Sequence, residues 1–124
     1  MILVDTSVWV DHLRGGDAGL VDLLERSAVA MHPFVVGELA CGSLRERSAI
    51  LELLQDLPAA VVADSGEVLH FIDRHALHGK GIGYVDVHLL ASVVLTEGTR
   101  VWTRDQKLRQ VAAALGCAYP EPAH

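Results

Sequence analysis

Asp5, Glu38, Asp86 and Asp105 are the residues of this chain whose type and placement best suit chemistry. They are scattered along the sequence, yet each falls where a short α/β fold would bring it to one end of a sheet, the end at which open α/β sheets bind ligands. Asp5 closes the apolar run Ile2-Leu3-Val4, and Asp105 comes just after Val101-Trp102-Thr103, so both leave the carboxyl end of a buried strand. Asp86 starts a helical segment behind the glycine loop Gly79 to Gly83. Glu38 sits inside the apolar stretch Phe34-Val35-Val36-Gly37-Glu38-Leu39-Ala40, where an unpaired ionised carboxylate is costly. No Lys or Arg stands in an obvious local pairing position for any of the four. The missing positive charge is most simply a divalent cation, for which hard oxygen ligands are suited. Such a site can hydrolyse a phosphodiester, because metal ions neutralise the non-bridging oxygens, activate a water and stabilise the departing oxygen.

Each acid also has a plainer explanation. Asp is a preferred helix cap, so Asp5 can cap Thr6–Leu13 and Asp105 can cap Gln106–Leu115. Asp86 near a helix start is favoured by the macrodipole alone, and Glu38 can be a helix residue turned to solvent. Their coincidence favours a common site over four separate accidents.

The elements that must position these residues alternate regularly. Strands are expected at Met1–Asp5, Val29–His32, Ala59–Ala63, Arg100–Thr103 and Cys117–Tyr119, each short, apolar and bounded by turn or cap residues. Between them, helical spacing of apolar residues marks Ala18–Arg26, Leu44–Leu54, Val68 to His75, Val87 to Val94 and Gln106–Leu115. Gly98 and Gly116 read as helix-ending glycines. The alternation predicts an α/β fold, a three-layer α/β/α sandwich with a short, mostly parallel sheet. Residues 1–124 read as one domain, of a length that buries roughly two thirds of its unfolded surface. Pro120–His124 reads as an irregular tail.

Composition bounds the function. A hydrophobic content of 51% supports a real core. No segment approaches a membrane span or a signal peptide, so the chain is expected in the cytoplasm. Cys41 and Cys117 form no disulfide framework and are expected as buried thiols. The net charge of −6 opposes nucleic-acid binding in general, but setting the four carboxylates aside leaves −2, and a metal would make the pocket attract phosphate. Basic help would come from Arg45 to Arg47, Arg74 to Lys80 and Arg100 to Arg109, all of which also read as solvated faces. His70, His75 and His78 share a segment without a familiar zinc spacing, and His12, His32, His88 and His124 are isolated. No phosphate-cradling Walker loop is present.

Four segments together carry a resemblance: Val4-Asp5-Thr6-Ser7-Val8-Trp9-Val10-Asp11, Val36-Gly37-Glu38-Leu39, Gly81 through Ser92, and Val101-Trp102-Thr103-Arg104-Asp105. In order and spacing they resemble the signature regions of PIN-domain proteins, and within that group the VapC-type toxins of bacterial toxin–antitoxin pairs. The resemblance spans essentially the whole chain. It implies a Mg²⁺- or Mn²⁺-dependent endoribonuclease, a homodimer and a cognate antitoxin that silences it. Carried onto this sequence, the metal and catalytic positions are Asp5, Glu38, Asp86 and Asp105, with Thr6 or Ser7 and Thr103 as hydroxyls beside them. Asp5 would anchor the metal, Asp86 and Asp105 would coordinate directly or through water, and Glu38 would ligate or orient the attacking water. Attack by water leaves a 5′-phosphate and a 3′-hydroxyl.

Rival readings lack residues they need. A phosphoaccepting receiver domain needs adjacent acids after the first strand and a late lysine, a haloacid-dehalogenase-type phosphatase needs an Asp where Ser7 stands, and a non-catalytic interaction module leaves Glu38 unexplained. The apolar stretches Val87–Val94 and Leu44–Leu57 are expected to offer surface for dimerisation.

Overall fold

A computed structural model describes residues 1–121; Pro122, Ala123 and His124, which hold most of the expected tail and one isolated histidine, lie outside the described residues. The elements are β1 (Ile2–Val4), α1 (Thr6–Gly15), α2 (Ala18–Glu25), β2 (Val29–Ala30), α3 (Pro33–Ala40), α4 (Arg47–Gln55), α5 (Ser65–Arg74), α6 (Tyr84–Leu95), β3 (Arg100–Trp102) and α7 (Gln106–Ala114). The sheet is parallel in the order β2-β1-β3, with Ile2 opposite Val29 and Arg100, and Val4 opposite Trp102. The strands expected at Ala59–Ala63 and Cys117–Tyr119 are reduced to single parallel bridges, Met31 to Ala59 and Val101 to Ala118, which extend the sheet at its two edges. The chain therefore builds outward from β1 to one side, then returns to place β3 on the other. That reversal beside β1 creates a crevice at the carboxyl ends of β1 and β3, the usual ligand position in such sheets.

β1 carries Leu3 and Val4 with no exposed surface, as a strand covered on both faces requires. The α/β sandwich closes over it. α6 is its inner helix, with every residue from Val87 to Val93 buried, and it packs on α5 and β3. This overturns the expectation that Val87–Val94 supplies a dimerising surface; an apolar run around the whole helix belongs in a core. Only Val94 of that stretch is exposed; other exposed apolar residues include Leu53, Val61, Val62, Leu69 and Leu95. Among the described residues no helix is long and apolar enough to cross a membrane.

The helix starts are locally specified. Asp17 caps α2 through Leu20 N–H at 3.0 Å, and Asp64 with Glu67 forms a reciprocal capping box on α5. His32 caps α3 with its imidazole, Nδ1 accepting Phe34 N–H at 3.0 Å ahead of Pro33 at the first helical position. Gly116, with φ of 74°, follows α7 as a helix-ending glycine, whereas Gly98 lies farther past the end of α6 than that role requires. Of the two cysteines, Cys117 is buried, but Cys41 is exposed just beyond α3, because the helix ends there and the chain turns out to solvent.

Candidate active site

Asp5 follows β1 directly and stays in the sheet's hydrogen-bond pattern, its N–H donating to Trp102 C=O at 2.8 Å. Its carboxylate caps α1 and is 6% exposed. Oδ2 accepts two hydroxyl hydrogens, from Ser7 Oγ and from Thr103 Oγ1, each at 2.7 Å. Oδ1 takes no hydrogen bond from any described residue. Both hydroxyls also accept backbone N–H groups, Ser7 from Arg104 and Thr103 from Asp105, each at 3.0 Å. The loop after β3 is thereby stitched to the start of α1 across the β1–β3 crevice.

The other three acids arrive from separate elements. Asp105 caps α7, accepting Leu108 N–H at 2.8 Å through Oδ1. Asp86 stands in the first turn of α6 and accepts Gly83 N–H at 3.2 Å. Burial above all, and then the charges of Asp5, Asp105 and Glu38, push its carboxyl above the usual range, against the opposing pull of the Gly83 bond. Glu38 projects from α3 and accepts Thr6 Oγ1–H at 2.8 Å. The expectation that Glu38 would be held in apolar surroundings is corrected: Val35 and Leu39 take the buried face of α3, and Glu38 is exposed. The plain capping readings of Asp5 and Asp105 are true, but a cap occupies only part of a carboxylate's accepting capacity.

Three helix N-termini, those of α1, α6 and α7, meet at these carboxylates. Their partial positive ends steady the anions and favour a phosphate nearby. Among the described residues no Lys, Arg or His forms an ion pair with Asp5, Glu38, Asp86 or Asp105. Among the described residues no three His, Cys, Asp or Glu side chains stand close enough to hold a metal ion as placed, so the four acids form a loose rim rather than a finished cage. Four hard oxygen donors, a free Oδ1 on Asp5 and mutual repulsion felt at Asp86 fit a divalent cation by chemistry.

The chain's own sequence did not advertise two neighbours of this rim. Arg104, between Thr103 and Asp105, binds Asp11 at 2.7 Å, Asp17 at 2.5 Å and Glu121 at 2.6 Å, and its guanidinium lies 5.4 Å from the centre of the Trp102 ring. Those carboxylates, Glu121 foremost, hold it firmly protonated. Its partners come from three distant segments, which local spacing does not reveal. Lys107 lies across the loop before α6, close enough that a side chain at Gly81 would strike it.

The sequence match settles the family. A model of the PIN domain matches residues 2–114. This chain belongs to the PIN domain family. PIN-domain relatives include the protein called Ribonuclease VapC32 in two Mycobacterium tuberculosis strains, CDC 1551 / Oshkosh and ATCC 25618 / H37Rv; each is 48% identical over 121 residues, covering 98% of both chains. The resemblance read from the four segments is thus borne out at family level, and this PIN domain places its segments at one sheet end.

Proposed function

We propose that this chain is a Mg²⁺-dependent endoribonuclease, with Mn²⁺ able to substitute, that acts in the cytoplasm as the toxin of a toxin–antitoxin pair. Residues 1–124 would form one nuclease domain, working as a homodimer. The carrying observation is the convergence of Asp5, Glu38, Asp86 and Asp105, from four elements, without an ion-pair partner among the described residues. Relatives named ribonucleases at 48% identity support RNA as the substrate.

Asp5, Asp86, Asp105 and Glu38 would hold the metal, which when bound supplies charge neutralisation at the phosphate and a more acidic water. The remaining work belongs to the chain. Ser7 and Thr103 fix Asp5 Oδ2 and leave Oδ1 free. Thr6 orients Glu38, which accepts the proton of the attacking water. As the water oxygen bonds to phosphorus, the bond from phosphorus to the 3′-oxygen breaks, and solvent protonates the leaving oxygen. The ends are a 5′-phosphate and a 3′-hydroxyl.

Beside Glu38 a groove of about 630 Å³ runs between α1, α3 and the start of α4, lined by apolar residues such as Leu13, Leu39 and Ile50 and by the charged Arg14, Arg45 and Glu46. It suits an amphipathic antitoxin segment with acidic groups toward Arg14 and Arg45 and an Arg or Lys that reaches the acidic rim.

Labelled RNA incubated with the protein and Mg²⁺ tests this reading. Cleavage should stop in EDTA and return with added metal; cleavage undiminished by EDTA, or products ending in cyclic phosphate, would overturn it. Asp5→Asn, Glu38→Gln, Asp86→Asn and Asp105→Asn should each slow cleavage by on the order of a hundredfold or more, since loss of even a supporting partner costs up to that. Circular dichroism should stay unchanged, because Asn also caps helices. Asp22→Asn, in an exposed pair with Arg26, serves as the control.

A further inference from the structure

Two of the chain's few aromatic rings are partly open to solvent at the acidic end of the sheet. Phe34 is 36% exposed and Tyr84 is 49% exposed, while Trp9, Trp102 and Phe71 are buried. Both belong to first turns of helices that begin at this end, Phe34 on α3 and Tyr84 on α6. Phe34 lies one turn before Glu38 on the same side of α3, because residues four apart on a helix are neighbours. Tyr84 opens α6, whose first turn also carries Asp86, so the two share one helix start although their side chains leave it in different directions.

The two rings meet over a common support. His88 lies edge-on to both, with ring centroids 4.5 Å from Phe34 and 4.6 Å from Tyr84. His88 is itself buried, at 4% exposure, and His32 lies behind it and against Phe34. Among the described residues no ring pairing joins Phe34 to Tyr84 directly. The rings are thus braced on one side by His88 and keep part of their surface in solvent.

The ribonuclease reading says what covers them, and charge says how. A chain of net charge −6 has little means of gripping a polyanion by counterion release. Stacking of bases on aromatic faces is independent of that charge and is a standard means of holding single strands. We propose that Phe34 and Tyr84, braced by His88, form a stacking platform for an unpaired base of the RNA strand next to the phosphate that is cut. The proposal rests on the ribonuclease reading and adds how the substrate is held: unpaired strands are preferred, and Phe34 and Tyr84 are positioning residues that act on binding.

The test uses two fluorescent RNA strands of equal length, one of ordinary uridylates and one whose central residues lack bases, so that charge is the same and only stacking differs. Fluorescence anisotropy in EDTA reads binding without cleavage. The parent should bind the base-bearing strand roughly tenfold more tightly, the scale of one stacked base. Tyr84→Ala and Phe34→Ala should each erase most of that preference and, in Mg²⁺, raise KM with little change in kcat. Tyr84→Phe should restore it, because the ring and not the hydroxyl stacks. A parent without preference for the base-bearing strand, or Tyr84→Phe as weak as Tyr84→Ala, overturns the platform. So does a Phe34→Ala/Tyr84→Ala double variant that falls to half the parent's mass in light scattering, since the rings would then cover a second copy of the chain. Cleavage without base preference would sink only the platform, whereas preference without cleavage would sink only the ribonuclease reading.

Discussion

His32 sets the sharpest conflict between burial and charge at a single residue. Its side chain has no exposed surface, Nδ1 accepts Phe34 N–H, and Nε2 has no partner among the described residues. Burial foremost, and then the nearby His88, lowers its pKa from 6.5 to about 4. Between those values the unfolded chain binds a proton that the folded chain refuses. The associated stability is therefore full above about pH 6.5 and is lost as pH falls toward 4, by at most roughly 3 kcal/mol. Asp86 works in the opposite sense, because its raised carboxyl favours the folded state as pH falls. Urea unfolding of the parent and of His32→Asn, which keeps an acceptor near the Nδ1 position, separates the two. Between pH 7 and pH 5 the parent should lose more stability than His32→Asn; equal losses would mean that His32 takes up its proton as readily in the fold as in the unfolded chain.

At the scale of elements, the loop into α6 governs how Asp86 is presented. Gly81 has φ of +78°, and a Cβ there would lie 2.8 Å from the Lys107 side chain. Gly81→Ala should cost about 1–2 kcal/mol from the left-handed backbone alone, read as a lower melting temperature, and slow RNA cleavage through the displaced Gly83–Asp86 contact. An unchanged melting temperature would show that the loop readily adopts another path. Element types were largely legible in the sequence, because caps such as Asp5 and Asp105 and helical apolar spacing are local signals. The sheet's edges were not: Ala59 and Ala118 have the composition of strands, but only one residue of each pairs. Nor was the orientation of helices. A run such as Val87–Val93, apolar on nearly every side, fits either a core helix or a covered interface until the fold shows which, and the apolar neighbours of Glu38 hid the fact that it faces outward. Of the four candidate acids, Asp5, Asp86 and Asp105 were legible through their placement at strand exits and helix starts, and Glu38 only through its apolar neighbours in the chain. The Arg104 cluster was not, because its partners Asp11, Asp17 and Glu121 meet only in the folded chain.

For the molecule as a whole, surface and charge carry the remaining consequences. Leu53, Leu69 and Leu95 are each more than half exposed, at 64%, 60% and 52%, and symmetric pairing is the commonest way to cover such surface. Light scattering should give about 27 kDa, twice the 13.4 kDa chain; a monomer at tens of micromolar would contradict the dimer. The acidic rim is self-repulsive without a cation, and a metal that binds only the folded arrangement stabilises it by mass action. The most direct measurement is a set of melting curves for the parent and Asp86→Asn, each with and without Mn²⁺. Saturating Mn²⁺ should raise the parent's melting temperature by on the order of 10 °C, as a hundredfold excess over Kd would. Without metal Asp86→Asn should melt above the parent, because a repelling charge is gone; with Mn²⁺ that order should shrink or reverse, because a ligand is gone. Equal Mn²⁺ shifts in the two proteins, or no shift in either, would contradict a metal site built on these carboxylates.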